Sequence, residues 1–163
     1  MLTLTDNTAF IDLINQNKGI IYKVSSSYSR SREDREDLAQ EIIYNIWKSF
    51  PRYERVAKFS TWMYRIALNV AISFYRKESR TEDHLPFDES LVIFDEVNEG
   101  DDNMHLLFRF IGELKEMDKS VILLYLDDKS YKEIAEITGI SETNVATKIN
   151  RIKQQLRNSF LNT

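Results

Sequence analysis

From Phe10 to Leu156 the apolar residues of this chain return every three or four positions, and that spacing is lost for long only once. A return of this kind lines one face of an α-helix, whereas a strand would need alternation. Only 4 Gly and 2 Pro stand in 163 residues, so little interrupts the helices. The expected class is all-α, as two small helical domains joined by an acidic flexible linker. The interruption spans residues 81–104. It holds nine carboxylates, no Lys or Arg, Pro86 and Gly100. Self-repulsion and the scarcity of helical repeats favour an extended segment there. The chain therefore reads as 1–80, a linker 81–104, and 105–163.

Charge follows the same division. The net charge of −4 argues against a nucleic-acid binder until it is resolved along the chain. Residues 1–80 carry 13 basic and 9 acidic side chains, and residues 105–163 carry 9 and 8. The acidity is confined to the linker, and a local field matters more to a polyanion than the sum does. There is no Cys, which excludes a disulfide framework and a thiolate metal site and fits a reducing compartment. His84 and His105 stand apart. Asp101 and Asp102 lack the spacing of an EF-hand loop, so no metal or cofactor is expected. No signal-peptide pattern or 18-residue apolar span is present, so a cytoplasmic location without membrane insertion is expected.

Residues 37–77 dominate the first half. Leu38, Ile42, Ile46 and Phe50 recur at i, i+4, with Ala39, Ile43 and Trp47 beside them. The other face carries Asp37, Gln40, Glu41, Tyr44 and Lys48. Pro51 ends this helix. After a loop, Ser60 is the expected N-cap of a second helix from Thr61 to about Lys77. Trp62, Ile66, Val70 and Phe74 line one of its faces, and Leu68 and Ile72 sit opposite with Arg65, Asn69 and Arg76. Nine of the chain's 19 aromatic residues fall in this stretch, interleaved with Arg52, Arg55, Lys58, Arg65, Arg76 and Lys77. Bases stack on aromatic faces and phosphates seek Lys and Arg, so the mixture suits single-stranded nucleic acid. An aromatic core with a solvated basic rim is the plainer alternative. Upstream, a helical pattern breaks near Gly19, and Ser25 to Arg35 reads as a helix end and link.

The last third has its own punctuation. Asp118 is a candidate N-cap for the stripe Val121, Ile122, Leu124 and Tyr125. Ser130 and Glu133 form a capping box, Gly139 supplies a left-handed turn, and Ser141 caps a further helix. Val145, Ile149, Ile152 and Leu156 give that helix one apolar face. These are the mechanics of a helix-turn-helix, whose second helix enters the major groove. An ordinary αα-hairpin is the alternative.

The run DLAQE, the aromatic helix, FSTWMYRIALN and an Arg-Lys end resemble region two of an extracytoplasmic-function (ECF) sigma factor, a small bacterial RNA polymerase subunit. EIAEITGIS resembles region four of the same family. The resemblance covers about nine-tenths of the sequence. It implies a non-enzymatic subunit that binds RNA polymerase core and directs promoter recognition, strand opening and transcription initiation.

Its implied partners are the clamp helices of the largest core subunit, the flap of the second-largest, and promoter DNA, with room for an anti-sigma factor. Asp37, Leu38, Gln40, Glu41 and Ile42 would dock on core. Tyr53, Arg55, Lys58, Arg65, Asn69 and Arg76 would hold the downstream promoter element. Tyr53 would wall a pocket for a flipped base, and Asn69, on the face away from Trp62 and Ile66, would read its edge. Thr143, Asn144, Thr147, Lys148 and Arg151 would meet the upstream element. The recognition helix departs from relatives rich in Lys and Arg, having Ala146 and Asn150 among its few cations. The competing class is a stand-alone helix-turn-helix transcriptional regulator, which leaves the basic-aromatic loop unused.

Overall fold

The computed structural model describes residues 4–81 and 102–162. Eight helices follow one another: α1 Leu4–Gln16, α2 Lys18–Tyr28, α3 Arg32–Ser49, α4 Phe59–Thr81, α5 Asp102–Gly112, α6 Glu116–Leu126, α7 Tyr131–Thr138 and α8 Glu142–Leu161. A 3₁₀ turn, Phe50–Arg52, lies between α3 and α4. No strand occurs among the described residues. Most of the expected linker, residues 82–101, lies outside them, while both ends of that stretch are helical.

The first group forms because α2, α3 and α4 share one apolar centre. Leu38, Ile42 and Ile46 of α3 are fully buried, as their spacing requires. Each contributes about 1.5–3 kcal/mol relative to exposure. They meet Val24 of α2 and Met63, Tyr64, Ala67, Leu68 and Ala71 of α4 in a common core. The buried stripe of α4 thus differs from the expected one. Trp62, Ile66, Val70 and Phe74 are only half-buried, and Leu68 lies inside. Small residues at 67 and 71 let the helices approach, so they displace bulkier neighbours from the contact.

Several local expectations change with the packing. The α1–α2 break falls at Asn17 rather than Gly19. Ser25, Ser26 and Ser27 end a helix as expected, but they and Ser29 are buried, which the sequence does not show. Ser25 and Ser27 return their hydroxyls to the carbonyls of Ile21 and Lys23, at 2.6 and 2.7 Å, so these small polar groups enter the core satisfied. The link is short, and Ser31 caps α3 by accepting the Asp34 N–H at 3.1 Å. Helix α4 starts at Phe59, so Ser60 lies inside its first turn and binds Lys129 Nζ at 3.0 Å. Lys115, not Asp118, precedes α6.

The helix-turn-helix stands as expected. Ser130 accepts the Glu133 N–H, Gly139 turns at φ 81°, and Ser141 accepts the Asn144 N–H. Val145, Ile149 and Ile152 are fully buried against α6 and α7.

The two groups meet along a polar seam, with α6 antiparallel to both α2 and α4. Tyr28 Oη, at the end of α2, donates to the Glu116 carbonyl and lies 2.6 Å from Ser120 Oγ, near the start of α6. At the other end Asp127 accepts from Lys23 Nζ at 2.8 Å and Tyr64 Oη at 2.6 Å. Between them the Lys119 side chain is 2% exposed. Its ammonium lies 4.5 Å from the Tyr75 ring centre and 5.1 Å from that of Tyr28, and donates to the Ser27 carbonyl at 3.0 Å. Two ring faces and a carbonyl replace part of the lost hydration.

Burial, and then the nearby Arg30 charge, pull the Lys119 ammonium down to about 8, while Glu116 opposes them. The folded chain releases this proton near pH 8, and the unfolded chain near the ordinary lysine value of 10.5. Between those values the unfolded state binds more protons, so stability rises with pH. In urea unfolding, the parent should therefore gain on a Lys119→Met variant from pH 8 to 10, by up to about 1.4 kcal/mol per pH unit. A pH-independent difference would show that the ammonium is not buried in the folded state.

Candidate nucleic-acid interface

Three exposed surfaces carry the residues singled out above. The first is the outward face of α3. Asp37, Gln40 and Glu41 are exposed there. Leu38 and Ile42 are fully buried and cannot touch a partner without unpacking the core. Their role is to hold the helix, and their i, i+4 spacing was already the signal for that. The face instead presents Ile43, Tyr44 and Trp47, exposed by 38%, 59% and 45%. Ile43 and Trp47 were read as flanking the core. The helix is covered on one side only, so the wide apolar arc seen in the sequence splits into a buried and an open half.

The second surface is the ridge of α4 and the loop before it. At 3.6 residues per turn, Asn69 points within about 20° of Trp62, seven residues earlier. Asn69 is thus on the same side as Trp62, not the far side, about 10 Å along the axis. Arg65, Asn69 and Arg76 are exposed along this ridge. Tyr53 joins its near end, with its ring 4.9 Å from Trp62 and 5.6 Å from Phe59. Phe50 and Phe10 extend the same aromatic cluster, at 6.3 Å from Phe59 and 5.2 Å from Phe50 respectively.

The loop is braced as well as anchored. Tyr53 Oη donates to the Ala57 carbonyl at 2.6 Å, and Arg55 takes a left-handed φ of 61°. A non-glycine residue in that region marks a turn held by its surroundings. Arg55 and Lys58 are exposed, and Val56 is 90% exposed at the tip. Loop and ridge therefore bring aromatic faces, an exposed amide and cations together. Two of the cations are already occupied across the seam: Arg65 donates to the Glu136 carbonyl at 3.0 Å, and Arg76 pairs with Glu116 at 2.8 Å.

The third surface is α8. Thr143, Asn144, Thr147 and Asn150 are exposed. Lys148 and Arg151 both reach Asp118 of α6, so they are not free cations on α8. Lys153 Nζ sits 4.5 Å over the Tyr125 ring. Asn150 belongs to the outward face, because it lies seven residues from Thr143, the same stripe of the helix. No group of three His, Cys, Asp or Glu among the described residues could hold a metal, and no helix there is long and apolar enough to cross a membrane.

Comparison with known proteins follows the same division. Residues 13–81 match the Sigma-70 region 2 model, and residues 104–156 match the Sigma-70, region 4 model. The chain is 30% identical over 168 residues to the ECF RNA polymerase sigma factor SigW of Bacillus subtilis (strain 168), covering 93% of this chain and 89% of that protein. It is 27% identical to RNA polymerase sigma factor SigV of the same organism, covering 94% and 92%. Among solved structures, the sigma factor RpoE in complex with the anti-sigma factor NepR, from Bartonella quintana, is similar with a TM-score of 0.78 at 18% identity, covering 93% and 96%. CnrH, in complex with the cytosolic domain of CnrY, gives 0.68 at 20% identity, covering 93% and 86%.

The aromatic anchor of the loop has a measurable weight. Tyr53→Phe, which loses only the bond to Ala57, should cost about 1 kcal/mol in urea unfolding. Tyr53→Ala, which also strips the ring from Trp62 and Phe59, should cost about 2–3 kcal/mol, below the range for fully buried rings because Tyr53 is half-buried. Equal losses for the two would show that the ring contacts contribute nothing.

Proposed function

The chain belongs to the ECF RNA polymerase sigma factors, and we propose how its three surfaces divide that family's work. It binds RNA polymerase core and directs promoter recognition, strand opening and transcription initiation. The observation that carries this is the presence, in one chain, of both matched regions with a separate exposed surface on each. A stand-alone regulator has no use for the α3 face or the loop-and-ridge surface. The subunit works by binding, without catalysis, in the cytoplasm where the polymerase is.

Region two comprises residues 1–80 and region four 105–163. The α3 face docks on the clamp helices of the largest core subunit, with region four on the flap of the second-largest. Ile43, Tyr44 and Trp47 supply apolar anchors, and Asp37, Gln40 and Glu41 supply a polar rim. Such a centre with a rim is the usual anatomy of an interface. Tyr53, Arg55, Lys58, Arg65, Asn69 and Arg76 serve the downstream element. Asn69 offers a paired donor and acceptor to an unstacked base, with Tyr53 and Trp62 as aromatic walls. Thr143, Asn144, Thr147 and Arg151 serve the upstream element, with Asn150 added and Lys148 supporting from behind. One similar solved protein, the sigma factor RpoE, is described with an anti-sigma factor, which supports such a partner for this chain too.

The closed seam belongs to the free subunit. Arg65 and Arg76 each commit one nitrogen, to Glu136 and Glu116, so region four lies against the ridge that DNA would occupy. Core binding separates the two groups and releases the ridge.

Run-off transcription with core polymerase and the purified chain tests the function, and a chain that neither binds core nor starts transcripts would refute it. Trp47→Ala combined with Ile43→Ser should weaken core binding at least tenfold, the size of a loss at an interface anchor. Melting should change little, because both side chains are exposed. Unchanged core affinity would place docking elsewhere. Asn69→Ala should bind core and closed promoter normally yet lose permanganate-reactive open complex, with partial rescue on a pre-melted template. Normal opening by that variant would remove Asn69 from the pocket.

A further inference from the structure

Asp118 is a buried charge that the division of surfaces leaves without a task. Its side chain is 7% exposed. Arg151 Nη2 donates to its two oxygens at 2.7 and 2.8 Å, and Lys148 Nζ donates to one of them at 3.1 Å. Two cations of the recognition helix thus converge on one anion of α6. The Lys148 side chain is 20% exposed and that of Arg151 is 50% exposed.

The two cations are held differently. Lys148 turns inward, with its charge against Asp118. Arg151 commits Nη2 and leaves Nε and Nη1 clear of Asp118, at the edge of the outward face. It lies seven residues from Asn144 and four from Thr147, so the three share one strip of α8 within about 60°. A free Lys or Arg on a groove-facing helix binds the phosphates of any sequence and raises affinity without discrimination. A guanidinium fixed from behind loses less freedom when it meets a base, and a donor left clear of Asp118 can reach a single acceptor on a base edge.

We propose that Asp118 is a positioning residue of upstream promoter recognition: it withdraws Lys148 from the phosphate backbone and orients Arg151 toward a base edge beside Asn144 and Thr147. This rests on α8 being the DNA-reading helix. Discrimination then comes from a few oriented polar groups, and the sequence-blind electrostatic contribution is kept small. The modest number of cations on α8 and their capture by Asp118 act in the same direction.

The test uses holoenzyme reconstituted from core and the full chain, with duplex promoter DNA randomised over the upstream element. The parent should enrich a defined upstream motif. Failure to do so would refute the reading of α8 itself, separately from the proposal about Asp118. Asp118→Asn keeps the shape and an acceptor but removes the charge. It should bind scrambled upstream DNA more tightly, with a salt dependence steeper by about one phosphate contact. Its preference for the enriched motif over scrambled DNA should fall on the order of tenfold.

A parent-like salt dependence together with a parent-like preference would overturn the proposal. Lys148→Gln provides an answer that does not depend on how well Asp118→Asn folds, which circular dichroism melting checks. Because Lys148 is not on a phosphate, its loss should leave the salt dependence as in the parent. A dependence shallower by about one contact would place Lys148 on DNA and overturn the proposal as well.

Discussion

The arrangement of the whole molecule depends on one buried ammonium. Lys119 sits between the rings of Tyr28 and Tyr75 with its third side on the Ser27 carbonyl, and around it α6 lies against α2 and α4. An apolar side chain there would hold the two helical groups together by area alone. A buried ammonium instead costs hydration, which its ring and carbonyl contacts return only in part, so the closed contact is one that water can replace. Other polar contacts join the groups beside a shared apolar core: Tyr64 and Lys23 on Asp127, Arg76 on Glu116, Lys129 on Ser60. Polar interfaces of this kind between domains of one chain are the ones that separate. The Asp127 carboxyl is held below the ordinary range, because the bonds from Lys23 and Tyr64 and the charges of Lys23 and Lys129 outweigh its burial. It therefore remains a charged latch at neutral pH.

The same seam decides which nucleic-acid groups are available. Arg65 and Arg76 face outward on α4 yet each commits one nitrogen to region four. Asn69 between them is exposed, and the aromatic end of the ridge is packed around Tyr53 and Trp62. The surface proposed for separated strands is assembled but only partly open. On α8 the restraint is local to region four, where Asp118 takes up Lys148 and one nitrogen of Arg151. On the proposed division of surfaces, both regions limit indiscriminate phosphate binding by an intramolecular partner, region two across the seam and region four within its own helices. A chain with net charge −4 then binds DNA where its geometry permits, rather than wherever charge attracts it.

What the sequence made legible was whatever depends on neighbours along the chain. The stripe of Leu38, Ile42 and Ile46, the Ser130 and Ser141 caps, the Gly139 turn and the buried Val145, Ile149 and Ile152 all follow from local rules. Contacts set by the third dimension were not legible. Ser25, Ser26 and Ser27 were legible as a helix end, but nothing in a polar run of Ser shows that they and Ser29 are buried. Asp118 resembled a cap because it precedes an apolar run, yet its partners are 30 and 33 residues away. Leu38 and Ile42 carried a docking role from the family motif, although their own periodicity marked them as core. Lys119 gave no signal, since a Lys at a helix start is unremarkable until two tyrosines from elsewhere close around it. The placement of Asn69 was legible but needed the 100° step per residue applied over two turns.

The central claim is that the free subunit is held closed by this seam and opened by polymerase core. The chain contains no Cys, so two can be introduced for spin labels without background. Asp12 on α1 and Gln155 on α8 are both exposed. With Asp12→Cys and Gln155→Cys labelled, electron–electron double resonance reads the distance between the groups directly. The account predicts one narrow distribution in the free chain, replaced by a clearly longer one when stoichiometric core is added. A broad distribution in the free chain, or one that core leaves unchanged, would contradict it.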